Sequence, residues 1–112
     1  ALSPWHPYLY DFLLTETDQH QGFFETENWI RQYAHDHNIP LYGSYDPTCI
    51  KGLDETDFFD GLHCKGCGIA KFFPGVPQVL QDVENNTLPD PLSVTPRTTL
   101  PVDGEENVEN VG

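Results

Sequence analysis

Every Trp, Tyr and Phe of this 112-residue chain lies at or before Phe73. No other feature limits the possible folds so sharply. From Val83 to Gly112 there are four prolines (Pro89, Pro91, Pro96, Pro101), one basic residue (Arg97) and no aromatic ring. Such a segment has too little apolar surface to offset the entropy of ordering it. Residues 1–82 are therefore the foldable part. Residues 83–112 read as a Pro-rich acidic tail, disordered unless a partner or neighbouring domain covers it. A core this small is marginal on its own.

Within 1–82 the periodicity is mainly helical. "LSPWHPYLYDFLL" opens with Pro4 and Pro7 and then places Leu9, Phe12 and Leu13 at i, i+3, i+4, a loop leading into a short helix. "TETDQHQGFF" reads as a polar connection. "TENWIRQYAHDHN" is the clearest helix: Thr26 caps it, Glu27 suits the positive end of the dipole, and Trp29, Ile30, Tyr33, Ala34 and His37 form one apolar stripe. Asn38 ends it, and Pro40 prevents continuation. "IPLYGSY" then reads as a strand, closed by Gly43 and Asp46-Pro47. A helix–turn–strand unit belongs to α/β layered folds, although the chain has few other strand candidates. "GIAKFF" has helical spacing at Ile69, Phe72 and Phe73, and "QVLQDVENN" suits one or two further helical turns.

Charge excludes one class of partner. There are 18 acids against 5 bases, a formal net charge of −13. Nucleic-acid binding needs phosphate neutralisation, and Arg31, Lys51, Lys65, Lys71 and Arg97 are too few and too scattered. No run is long and apolar enough for a transmembrane segment. No signal peptide is visible, and a start at Ala1 fits either a cut chain or removal of an initiator Met. Asn85-Asn86-Thr87 matches the N-glycosylation pattern, a triplet common by chance.

The densest chemistry is in "DFFDGLHCKGCG", residues 57–68. Asp60 and His63 are spaced so that a tight turn, eased by Gly61, folds the carboxylate onto the imidazole. The carboxylate then fixes the tautomer and stabilises the imidazolium of a general base. The alternative is an exposed histidine in an acidic loop. Cys64-Lys65-Gly66-Cys67 is a C-x-x-C motif. With Cys49 and His63 it suggests zinc, although structural zinc usually takes two such pairs. A thioredoxin-like redox pair is a further reading. The reading preferred from sequence is a structural disulfide from Cys49 to Cys64 or Cys67, stapling the loop that carries Asp60 and His63 and contributing roughly 3 kcal/mol.

Trp5 and His6 are expected to pack against the first helix. His35 faces solvent and His37 lies near a helix end. The acids Asp46, Asp54, Glu55, Asp57 and Asp60 miss the EF-hand spacing and read as a solvated acidic loop.

The stretch "GSYDPTCIKGLDETDFFDGLHCKGCGIAKFF" resembles the C-terminal block of the GDSL/SGNH hydrolase-like superfamily: strand, loop, aromatic pair (Phe58-Phe59), Asp60-x-x-His63, and Gly68 five residues after the histidine, opening the last helix. "WIRQYAHDHNIPLYGSYDP" is similar to the segment before that block, and "LSPWHPYLY" to a loop of envelope-polysaccharide relatives. The resemblance covers roughly Leu2 to Phe73. It implies an α/β fold, a fragment of a flavodoxin-like α/β/α sandwich, with His63 as general base and Asp60 as its orienting acid. The chemistry implied is hydrolysis or transfer of carbohydrate or lipid acyl esters.

The departures are the absence of a Gly-Asp-Ser nucleophile block and of the oxyanion-hole blocks, and Cys64 where Pro usually follows the histidine. The chain is thus expected to supply the Asp–His part of a Ser–His–Asp triad, with the remainder of the hydrolase domain or another chain as partner, an acyl ester as substrate and no cofactor. Alone it should be inactive. The alternative is a small non-catalytic binding module with a Cys-stapled or zinc-binding loop (Cys49, Cys64, Cys67).

Overall fold

The structure, a computed structural model, describes residues 1–98. Four helices run in chain order: α1 (Pro7–Thr15), α2 (Gln21–His37), α3 (Gly66–Ile69) and α4 (Val76–Asn85), with short 3-10 turns between them. The described fold is mostly helical (53%), with 4% strand and no sheet. This corrects the α/β expectation: there is no flavodoxin-like sandwich here.

The expected strand over Ile39–Tyr45 shows why. It runs beside the N-terminal residues, and Leu2 N donates to Tyr42 O (2.8 Å) while Trp5 N donates to Tyr45 O (3.0 Å). Only one isolated parallel bridge forms, Leu2 with Gly43. Gly43 has φ +85°, outside the β region, and a side chain there would sit 2.2 Å from Leu2 O. Pro4 has no N–H to extend the ladder. On its other side the segment faces α2 instead of a second strand. Gly43 O accepts from Arg31 (2.7 Å), and Tyr45 N donates to Glu27 Oε1 (2.8 Å). The backbone groups a neighbouring strand would need are thus used by helix side chains.

The expected short helix α1 forms, starting at Pro7, which the sequence places in the loop before it; His6 Nδ1 accepts from Tyr8 N (3.0 Å). Helix α2 starts five residues before the expected Thr26 cap. Thr26 Oγ1 instead donates to Gly22 O (2.6 Å), as mid-helix threonines do. Gln21 pairs with Glu25 (2.8 Å) across the first turn. Asn38, with φ 53°, closes the helix in the left-handed conformation, as its sequence position predicts.

The buried face of α2 differs from the expected stripe. Phe24, Glu27, Arg31 and Ala34 point inward. Trp29, 67% exposed, and Tyr33 lie outside. They stack with His37 as a ladder, centroids 5.3 and 4.0 Å apart. Two small apolar clusters make the core. One holds Leu2, Ala34 and Leu41, the other Tyr10, Leu14 and Phe24, and Tyr45 packs against both. Trp5 joins the second through Phe23, at 4.6 Å, and so packs on α2.

The acids first read as a solvated loop include two buried ones. Asp46 is fully buried; its carboxylate accepts from Thr48 N and Oγ1, and from the Arg97 backbone N, Nε and guanidinium at 2.8–3.0 Å. Arg97 also meets Asp11 (3.0 Å). The segment 83–98 is therefore held against the body, through Arg97, through Pro91 O accepting from Arg31 (3.1 Å), and through Tyr42 donating to Asp82 of α4 (3.0 Å). The rest of the expected tail, 99–112, lies outside the described residues. Among the described residues no helix is long and apolar enough to cross a membrane.

Burial pushes the Asp46 carboxyl up, and the hydrogen bonds from Arg97 and Thr48 more than offset this, leaving it below the ordinary aspartate value. Its pairing therefore stabilises the fold fully above the unfolded value of about 4, and that contribution is lost as pH falls through the lower folded value. Arg97→Met is expected to lower stability at pH 7 and to flatten its fall below about pH 4, read from urea unfolding across pH. Arg31→Met, which strands Glu27, is expected to cost about 3–5 kcal/mol, whereas Trp29→Ala costs under about 1 kcal/mol in the same assay.

Candidate functional site

Residues 57–65 form a small antiparallel hairpin. Lys65 N donates to Asp57 O (2.7 Å) at its base and Phe59 N to His63 O (2.8 Å) nearer the tip, with a bridge between Phe58 and Cys64. The base is anchored by Asp57, which is buried. Its carboxylate accepts from Asp54 N (3.0 Å), from Lys71 Nζ (2.8 Å) and from Cys67 Sγ (3.4 Å). The Lys71 hydrogen bond is the main reason the Asp57 carboxyl lies below its ordinary value. Asp54 in turn caps the turn at Glu55–Asp57 through Thr56 N. The tip rests on α1: His6 N donates to Gly61 O (3.0 Å). The Leu9 side chain lies 3.1 Å from where a Gly61 side chain would begin.

At the tip sit the two residues singled out from sequence. Asp60 Oδ1 accepts from Leu62 N and from His63 N, both at 2.9 Å, an Asx-type turn. Both carboxylate oxygens also meet His63 Nδ1, at 2.8 and 2.9 Å. One short side chain thus shapes the turn and orients the ring. The carboxyl is held down at about 2, first by the Leu62 N–H and then by the His63 side chain. The pair is open to solvent: the side chains are 75% exposed for His63 and 57% for Asp60. Among the described residues His63 Nε2 has no hydrogen-bond partner. The same hairpin carries the exposed side chains of Phe59 and Leu62, with Lys65 over the Phe59 ring at 5.7 Å.

Ser44, in the only Gly-Ser of the chain, does not approach this tip chemically. It is fully buried, and its hydroxyl donates to Glu27 Oε2 (2.7 Å). Gly68 lies inside α3 and does not open it. A side chain there would fall 2.5 Å from Cys64 Sγ and 2.9 Å from Asp57 Cβ, so only glycine fits.

The cysteines correct the preferred sequence reading. All three are free, so the staple from Cys49 to Cys64 or Cys67 is not formed. Cys49 Sγ points to Thr95 O (3.7 Å), and burial followed by the Asp46 charge pushes its thiol up. The weaker zinc set of Cys49, Cys64 and Cys67 with His63 is not assembled. Among the described residues no three His, Cys, Asp or Glu side chains converge on a metal-sized position. Sequence reasoning missed the roles of Asp57 and Lys71. The available signal was a lone lysine 14 residues after an acid, which no helical or strand period links.

No family model matches the chain, and no curated relative or solved structure is similar to it.

The bonds to Asp60 are present above the ordinary aspartate value of about 4 and are lost as pH falls through about 2. In NMR titrations the Leu62 and His63 amide signals are expected to move together with a midpoint near that lower value. Asp60→Asn should remove the transition; an unshifted midpoint near 4 in the parent chain would contradict the turn geometry.

Proposed function

We propose that Asp60 and His63 are the orienting acid and general base of a site that hydrolyses or transfers acyl esters, as the resemblance to SGNH-like hydrolases implies. The observation that carries this is the carboxylate grip on His63 Nδ1. It leaves Nε2, on an exposed ring, for a hydroxyl nucleophile. Nε2 takes the proton as the hydroxyl attacks the ester carbonyl, and Asp60 stabilises the imidazolium so formed. Nε2 then returns the proton to the leaving alkoxide.

The nucleophile and the oxyanion donors come from another segment or chain. Ser44 is sealed against Glu27, and oxyanion stabilisation is usually the largest part of such catalysis. The exposed apolar side chains of Phe59 and Leu62 in the same hairpin suit the acyl side of a carbohydrate or lipid ester.

The test is turnover of a p-nitrophenyl acyl ester by the full-length gene product containing this chain. His63→Ala is expected to reduce kcat by about 10²-fold or more with unchanged thermal unfolding, and Asp60→Asn to reduce it with little change in KM. Turnover retained in His63→Ala would sink the proposal. Residues 1–112 alone should show none above background.

A further inference from the structure

The C-x-x-C pair is untouched by the proposed ester chemistry, and its surroundings set it apart from Cys49. Lys65 O accepts from both Gly68 N (2.9 Å) and Ile69 N (3.0 Å), which wraps residues 65–69 into a turn that begins directly after Cys64 and carries Cys67. Both sulfurs then lie beside the same two residues. Cys67 Sγ donates to Asp57 Oδ1 at 3.4 Å. Cys64 Sγ lies over Gly68, in the space that a side chain there would fill, and that space is bounded on its other side by Asp57 Cβ. Cys67 is exposed and Cys64 half-buried, so Cys67 is the thiol more open to a small molecule. Cys49 is directed elsewhere, at Thr95 O.

We infer that Cys64 and Cys67 form a thiol–disulfide exchange site that takes a low-molecular-weight disulfide as oxidant. The exposed Cys67 sulfur, as thiolate, attacks one sulfur of that disulfide, breaking its S–S bond. A mixed disulfide forms, and the first small thiolate leaves and takes up the proton that Cys67 lost. The Cys64 sulfur then attacks the Cys67 sulfur. The second small thiol leaves with the proton from Cys64, and the intrachain bond closes. The protein dithiol loses two electrons and two protons, and the small disulfide becomes two thiols.

Two features set the character of the pair. Burial first, and the Asp57 carboxylate second, push the Cys64 thiol up. The closing step, in which Cys64 attacks, therefore accelerates with alkalinity. Gly68 is what leaves room for the Cys64 sulfur over the turn. The bond would lock the base of the hairpin whose tip carries Asp60 and His63. The inference itself does not depend on the role of that tip.

The three cysteines fall in three different tryptic peptides, residues 32–51, 52–65 and 66–71. The chain is incubated under native conditions with excess oxidised glutathione, alkylated and digested. Peptides 52–65 and 66–71 are expected to remain joined, with the intact mass lower by two hydrogens and Cys49 alone alkylated. Cys49→Ser should bridge as the parent does, and Gly68→Ala should lose most of the bridged species. Three alkylated cysteines after prolonged oxidation, or a bridge that includes peptide 32–51, would overturn the inference.

Discussion

A carboxylate buried in the middle of a helix organises this molecule. Glu27 is almost fully removed from water, and an isolated charge there would cost far more than the fold gains elsewhere. Three hydrogen bonds, from Arg31 Nε, Ser44 Oγ and Tyr45 N, and the ion-pair contact with the Arg31 guanidinium compensate it. Arg31 also donates to Gly43 O and Pro91 O. Helix α2, the segment after it and the chain near Pro91 are thereby tied to one pair of charges. The geometry also explains why no sheet grows here. Once Glu27 and Arg31 hold the 43–45 backbone, its outward hydrogen-bonding groups are no longer offered to another strand.

The same device appears twice more. Asp46 is matched by Arg97, and Asp57 by Lys71. Three of the five basic residues are thus committed to buried or nearly buried acids. In a chain of net charge −13 most of the few cations serve the interior. Buried pairs of this kind need not add net stability compared with apolar packing. Their consequence is specificity of arrangement, because breaking any one strands a charge. With only two small apolar clusters, the fold relies on that constraint more than a larger domain would.

The hairpin from Asp57 to Lys65 separates two chemistries by a few residues. Its base carries the buried Asp57, which meets Lys71 and the Cys67 thiol from α3 and the turn after it. Its tip is exposed and carries Asp60 and His63. A rigid base under an open tip is a workable way to present an oriented imidazole, since the turn bonds to Asp60 fix the ring without burying it.

Local signals were legible wherever the cause is local. The short helix after the Pro4–Pro7 opening, the Asn38 stop of α2 and the Asp60–His63 contact each depend on residues at most four apart, and each appears where the sequence placed it. The Thr26 cap was misplaced because its hydroxyl found a carbonyl one turn back, an alternative equally local and equally available. Binary patterning failed on α2 because it counts Trp29 and Tyr33 as core and Glu27 and Arg31 as surface. An ion pair satisfied by Ser44, Tyr45, Gly43 and Pro91 inverts that rule, and its partners are far apart in sequence. The missing strand, the free thiols and the Arg97–Asp46 clasp have the same origin. The sequence by itself determined the helices, their stops and the turn that joins Asp60 to His63, since these need only neighbours. Tertiary structure alone decided which acids are buried, which backbone edges are occupied and where each free thiol is directed, since those depend on pairings that no short-range period encodes.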